Sequence, residues 1–262
     1  KIFNDLNYSS INNFLDNGIK TNFDIFLKNV NTTGKNDIEY KDKLHSRLMS
    51  AYTFNASLPM INKTFSTFNT LEPKLSLRLS PHQMRDNSTL ERRIDMNNIF
   101  NSNRLSMDES FESGESITLG LNFKKEKVNI INELSEIEEY IDFKLASVFR
   151  LNEEKNIPNN STLNKKTSNI FGEFNFKPIK NISLGYNFSL TENLDTFEYN
   201  SLVTKMKYEN FTTQLWFLPT VCSNTKKIIG EEQPESNKIE PIGRLLAKLL
   251  MEMPEFKKHF CI

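Results

Sequence analysis

From residue 182 to residue 190 every second side chain is apolar: Ile182, Leu184, Tyr186, Phe188 and Leu190, with Ser183, Gly185, Asn187 and Ser189 between them. Successive side chains of a β-strand point to opposite faces, so this pattern specifies a ribbon with one greasy and one polar side. It excludes a helix, whose apolar positions recur every three or four residues. Similar stripes run through Leu44, Leu48, Tyr52, Phe54 and Leu58, through Leu75, Leu77 and Leu79, and through Ile117, Leu119, Leu121 and Phe123. Others follow at Ile141, Phe143, Leu145, Phe149 and Leu151, and at Phe211, Leu215 and Phe217. Between them lie turn-rich stretches at 31–36, 81–87 and 156–161. The pattern predicts about twelve strands of roughly 8–13 residues, longer than the usual strands of soluble sheets and close to the 9–11 that cross a bilayer at a tilt.

Composition agrees with strands. The chain has 34 Asn and four Ala but 21 Phe, a poor recipe for helices and a good one for sheets. Apolar residues make up 37%, below the 45–50% of ordinary globular domains, yet the aromatics and the cancelling 33 basic and 33 acidic residues oppose disorder. Neutrality removes the electrostatic case for nucleic-acid binding. No run reaches the length of a membrane helix, which leaves a membrane barrel, whose alternating strands keep mean hydropathy low. The first residues, Lys1-Ile2-Phe3-Asn4-Asp5, read as the cut end of a longer protein.

Pro219 marks a change. Residues 1–218 are read as a partial β-barrel domain and 219–262 as a tail. In the tail, Ile242, Leu245, Leu246, Leu249, Leu250 and Met253 follow Pro241 at helical spacing, which predicts an amphipathic helix near 242–253.

Catalytic chemistry is absent from the pattern. His45, His82 and His259 are scattered, Cys222 and Cys261 form no CxxC pair, and no nucleophile elbow or phosphate-cradling glycine loop occurs. The acidic run Glu133, Glu136, Glu138 and Glu139 reads as a solvated loop or turn between strands rather than a cation site. No cofactor, metal or enzymatic activity is expected. The distinctive stretch is 70–123, where Arg78, Arg85, Arg92, Arg93 and Arg104 fall among Asp86, Asp95, Asp108, Glu109 and Glu112. A charge facing hydrocarbon at the bilayer midplane costs about 2–4 kcal/mol, so these groups belong on the lumenal face or its loops. There they either pair with one another or hold phosphate and carboxylate groups of an amphiphile. Arg78, Arg92, Arg93 and Arg104 are the candidate ligand-binding residues.

The same stretch carries a resemblance. Leu71-Glu72-Pro73-Lys74-Leu75, Asn97-Asn98-Ile99-Phe100, Asn103-Arg104-Leu105, Asp108 and Gly114-Glu115-Ser116-Ile117-Thr118-Leu119-Gly120, in that order, resemble the C-terminal barrel domain of the LptD family of outer-membrane lipopolysaccharide-assembly proteins, also called OstA. Flanking segments at 26–36 and 161–168 resemble alphaproteobacterial members, and the similarity extends over about residues 1–217. It implies an all-β chain, an antiparallel meander forming part of a large barrel in the cell outer membrane, with the short C-terminal helix outside the matched region. It also implies lipopolysaccharide (LPS) as cargo, contact with membrane lipids, an LptE-like plug lipoprotein, and an LptA-like periplasmic bridge reached through an N-terminal domain. The family's N-terminal domain, its closing strand and its disulfide cysteines have no counterpart in these residues. Two other classes share the alternation: an outer-membrane porin or nutrient receptor, and a soluble β-rich adhesin-like module whose stripes would pack against a second sheet.

Overall fold

The computed structural model describes residues 1–36, 42–65, 67–131, 134–179, 181–208 and 211–217. The helix expected near 242–253 lies outside them. The described residues form one antiparallel sheet of twelve strands. In chain order these are β1 (Ile2–Ser9), β2 (Asn13–Phe14), β3 (Lys20–Thr32), β4 (His45–Ser57), β5 (Met60–Lys63), β6 (Thr67–Ser80), β7 (Gly114–Ile131), β8 (Leu134–Arg150), β9 (Ile170–Ile179), β10 (Ile182–Leu190), β11 (Phe197–Tyr208) and β12 (Phe211–Phe217). Each main strand pairs with its neighbours in sequence, giving an open meander from β1 to β12, with β2 attached to β3 and β5 to β6.

Strand lengths depart from the expected 8–13 residues at both extremes. β2 and β5 have 2 and 4 residues, while β7 and β8 have 18 and 17. The short β5 has a local cause. Pro73 sits inside β6 without a backbone donor, and it faces the break at Leu58–Pro59 where β4 stops pairing and β5 takes over. Its carbonyl accepts a hydrogen bond from Leu58 N at 3.1 Å, which holds the two strands together across the break. The long hairpin corrects the reading of the acidic run. Glu136, Glu138 and Glu139 belong to β8, paired with Asn129, Lys127 and Glu126 of β7, not to a loop; Glu133 lies outside the described residues. Alternation stops at Phe123 in favour of Lys124-Lys125-Glu126-Lys127, so apolar patterning gave no signal that the strands continue.

Connections differ between the two ends. At one end they are short: 15–19, 64–66, 132–133, 180–181 and 209–210. At the other they include 33–44, 81–113 and 151–169.

Burial is the reverse of that in a soluble sheet. The stripes are bare: Leu48 is 70% exposed, Leu119 48%, and Tyr52, Phe54, Leu77, Leu79, Phe149 and Phe174 are all exposed as well. The opposite face is buried, and it carries Thr53, Ser76, Arg78, Ser116, Thr118 and Arg150 beside Met49, Ala51, Ala146 and Val148. Among the described residues no second sheet covers the stripes.

Candidate functional site: the loop-covered face

What buries the polar face is the chain's own connections. Segment 81–113 leaves β6 and folds back over the strands, and 151–169 packs beside it. Met84, Ile94, Ile99, Leu105 and Met107 from the first segment meet Ile157 and Leu163 from the second over Ala146, Val148 and Phe171 of the wall. These apolar residues have no strand or helix period, and the sequence pattern at 81–87 and 156–161 showed only turns.

The segment reaches far across the sheet. Arg47 of β4 donates to the carbonyl of Gln83 at 3.0 Å, and Lys28 of β3 donates to that of Asp108 at 3.1 Å. Phe111 meets the edge of Phe26 at 5.2 Å. On the far side the guanidinium of Arg93 lies over the Tyr199 ring of β11, 5.5 Å from its centroid. His82 bonds through Nε2 to the Phe111 carbonyl at 3.0 Å, a structural contact rather than part of a ligand cluster. Two glycines make room: Gly120 on β7, where a Cβ would stand 2.5 Å from the Phe100 ring, and Gly114, with φ +88°, where a Cβ would stand 2.7 Å from Arg150 Nη2.

At the centre lies Glu112, 1% exposed. Arg104 grips it with two parallel bonds, Nε to Oε2 at 2.6 Å and Nη2 to Oε1 at 2.5 Å, the bidentate geometry that a planar guanidinium favours. Arg150 of β8 bonds to Oε1 from a second direction. Arg78 of β6 stands 3.8 Å from the same oxygen and donates to the Glu112 carbonyl at 2.8 Å. Three cations on one anion leave excess positive charge, and oxygen dipoles absorb it. Arg78 donates to the Ser102 carbonyl, Arg150 to those of Ser113 and Asn152, and Arg104 to Ser116 and Thr118 of β7. The node therefore ties three strands to one loop. Removing either sign from such a site leaves charges that water cannot reach.

Burial alone would raise the Glu112 carboxyl, but Arg104 and Arg78, with the Arg104 hydrogen bonds and Arg150, pull it down from an ordinary 4.5 to about 2. A depressed carboxylate contributes stability that is complete above the unfolded value and is lost as pH falls toward the folded one. The wall should thus lose stability between about pH 4.5 and 2. In acid titrations monitored by near-ultraviolet circular dichroism, the difference between the parent chain and Glu112→Gln should shrink across that window. A difference constant from pH 6 to about 2 would contradict the linkage.

Of the four arginines singled out from the sequence, the fold brings Arg78 and Arg104 together on Glu112 and leaves Arg92 and Arg93 exposed on segment 81–113. Arg150, the third member of the node, sits between Phe149 and Leu151 of an apolar stripe but on the opposite face, and nothing in its local sequence marks it as a partner of Glu112.

The covered face is not covered throughout. Toward the short-turn end of β8 to β12 lies an open trough of about 500 Å³. One register row crosses it: Asp142, Asn175, Gly185, Val203 and Trp216 stand on neighbouring strands. Lys177, Ser183, Lys205, Gln214 and Asn187 also line it. Asp142 is neutralised by Lys144 at 3.1 Å, which also meets Glu173 at 3.3 Å.

A family model described as LPS transport system D, LptD, matches residues 14–218 of the 262-residue chain. No individual curated protein matches the sequence.

Proposed function

Because the chain belongs to the LptD family, LPS transport system D, we propose that its sheet is part of an outer-membrane barrel wall along which LPS is carried and inserted into the outer leaflet. The observation that supports this most is the inverted burial. Exposed apolar stripes suit hydrocarbon, and a polar face held under folded connections suits a lumen. An amphiphile needs both environments: its sugar and phosphate head stays on the polar side while its acyl chains pass toward lipid. Connection length supports an orientation with the short turns on the periplasmic side and the long loops outside, the arrangement of outer-membrane barrels. Segment 81–113 then closes the outer end over β3 to β11, which favours a sideways exit over a straight one.

In this reading Arg78 and Arg104 hold the closing segment, while the exposed guanidiniums of Arg92 and Arg93 meet head-group phosphates at the outer rim. The process is transport, not catalysis. An LptE-like lipoprotein would fill the remaining lumen, and an LptA-like bridge would deliver cargo from the periplasmic side. Cells depleted of the protein should stop delivering newly made LPS to the surface while porin-mediated uptake of small solutes continues. Undiminished delivery would remove the proposal.

A further inference from the structure

We propose that the register row ending at Trp216 is a binding site for an anionic saccharide. Trp216 points to the same side of the sheet as the trough and is 63% exposed, an unusual setting for an indole, beside the amides of Asn175, Asn187 and Gln214, the Ser183 hydroxyl and two lysines, with Phe176, Leu184 and Val203 also in the lining. A sugar ring has apolar C–H faces and a polar rim, and a flat aromatic surface beside hydrogen-bonding amides matches both parts. The amides are Asn175, Asn187 and Gln214, each able to donate and accept to vicinal hydroxyls.

The floor is shaped for close approach. Gly185 stands in the middle of the row and Val203 next to Trp216, so no long side chain rises between the indole and Asn175. Across five strands at about 4.8 Å spacing the row is roughly 19 Å long, the scale of a short oligosaccharide rather than one ring.

Charge sets the ligand's sign. Lys177 and Lys205 line the trough, and among the described residues neither has an acidic partner within ion-pairing distance, whereas Asp142 is already held by Lys144. Two free ammonium groups at one edge of a sugar-shaped trough select a phosphate or carboxylate substituent. The inference rests on the transport reading and deepens it by placing the anionic head of the cargo beneath the closed outer end, on the β9 to β12 part of the wall.

Trp216 is the sole tryptophan of the chain, so its fluorescence reports on the trough alone. The probes are maltotriose phosphate, maltotriose and inorganic phosphate, added to the 262-residue chain in detergent micelles after circular dichroism has confirmed the sheet. Maltotriose phosphate should change the emission saturably and bind more tightly than the other two. Lys205→Gln and Lys177→Gln should each weaken it about tenfold, the worth of one hydrogen bond to a charged group. Trp216→Ala, followed by calorimetry, should weaken both sugars but not phosphate. An unchanged affinity in the lysine variants, or no response in a folded chain, would overturn the site. Trp216 already shielded from acrylamide quenching without sugar would show a protein segment seated in the row, and would overturn it as well. Such failures beside lost LPS delivery in depleted cells would leave the transport reading standing and remove this site alone.

Discussion

Glu112→Ala will unseat segment 81–113 from the wall. The substitution leaves Arg78, Arg104 and Arg150 buried with no anion, and removing one partner of a buried ionic group costs about 3–5 kcal/mol. Arg104 is 2% exposed, so trypsin should not reach it in the seated state, whereas Arg92 and Arg93 are already exposed. New tryptic cleavage after Arg104, with the sheet's circular dichroism retained, is the expected signature. Glu112→Gln keeps the shape and two polar atoms, so it should sit between the parent and the alanine variant. Continued protection of Arg104 in Glu112→Ala would mean that the apolar core formed with 151–169 holds the segment without the ionic node.

The second large effect concerns the bare face. Leu119 lies in mid-strand on β7 between Leu75 and Ser147, 48% exposed on the striped side. Leu119→Arg should destabilise the chain folded in phospholipid vesicles by about 2–4 kcal/mol, because the guanidinium must be held in hydrocarbon. On the other face, Asn122→Lys places a cation beside Glu72, whose carboxylate already accepts a 3.4 Å bond from Asn122, and should change stability by no more than about 0.5 kcal/mol. Heat-modifiable gel mobility gives the folded fraction of each. Equal tolerance on both faces would show that the stripes do not meet lipid.

The alternation of Ile182 to Leu190 and of Ile117 to Phe123 was enough to place β10 and the apolar part of β7, because a period of two belongs to the strand itself and needs no tertiary partner. The same rule put Arg78 on the polar side. It fell silent at Lys124, where a strand running beyond the apolar band has no face to mark, and so the acidic half of β8 read as a turn. The closing segment was legible only as a cluster of opposite charges. Arg104 and Glu112, eight residues apart, were visible as neighbours in sequence, but Arg150 comes from another strand and the core between 81–113 and 151–169 from two connections without periodicity.

Local chemistry by itself determined that this chain forms one-sided strands and which side is greasy, since each residue's direction in a strand follows from its parity. Which arginines surround Glu112 was decided only when three strands and a loop came together, and that Asp142 and Trp216 share one row only when five strands came into register, because that alignment is set by backbone pairing between segments far apart in the chain.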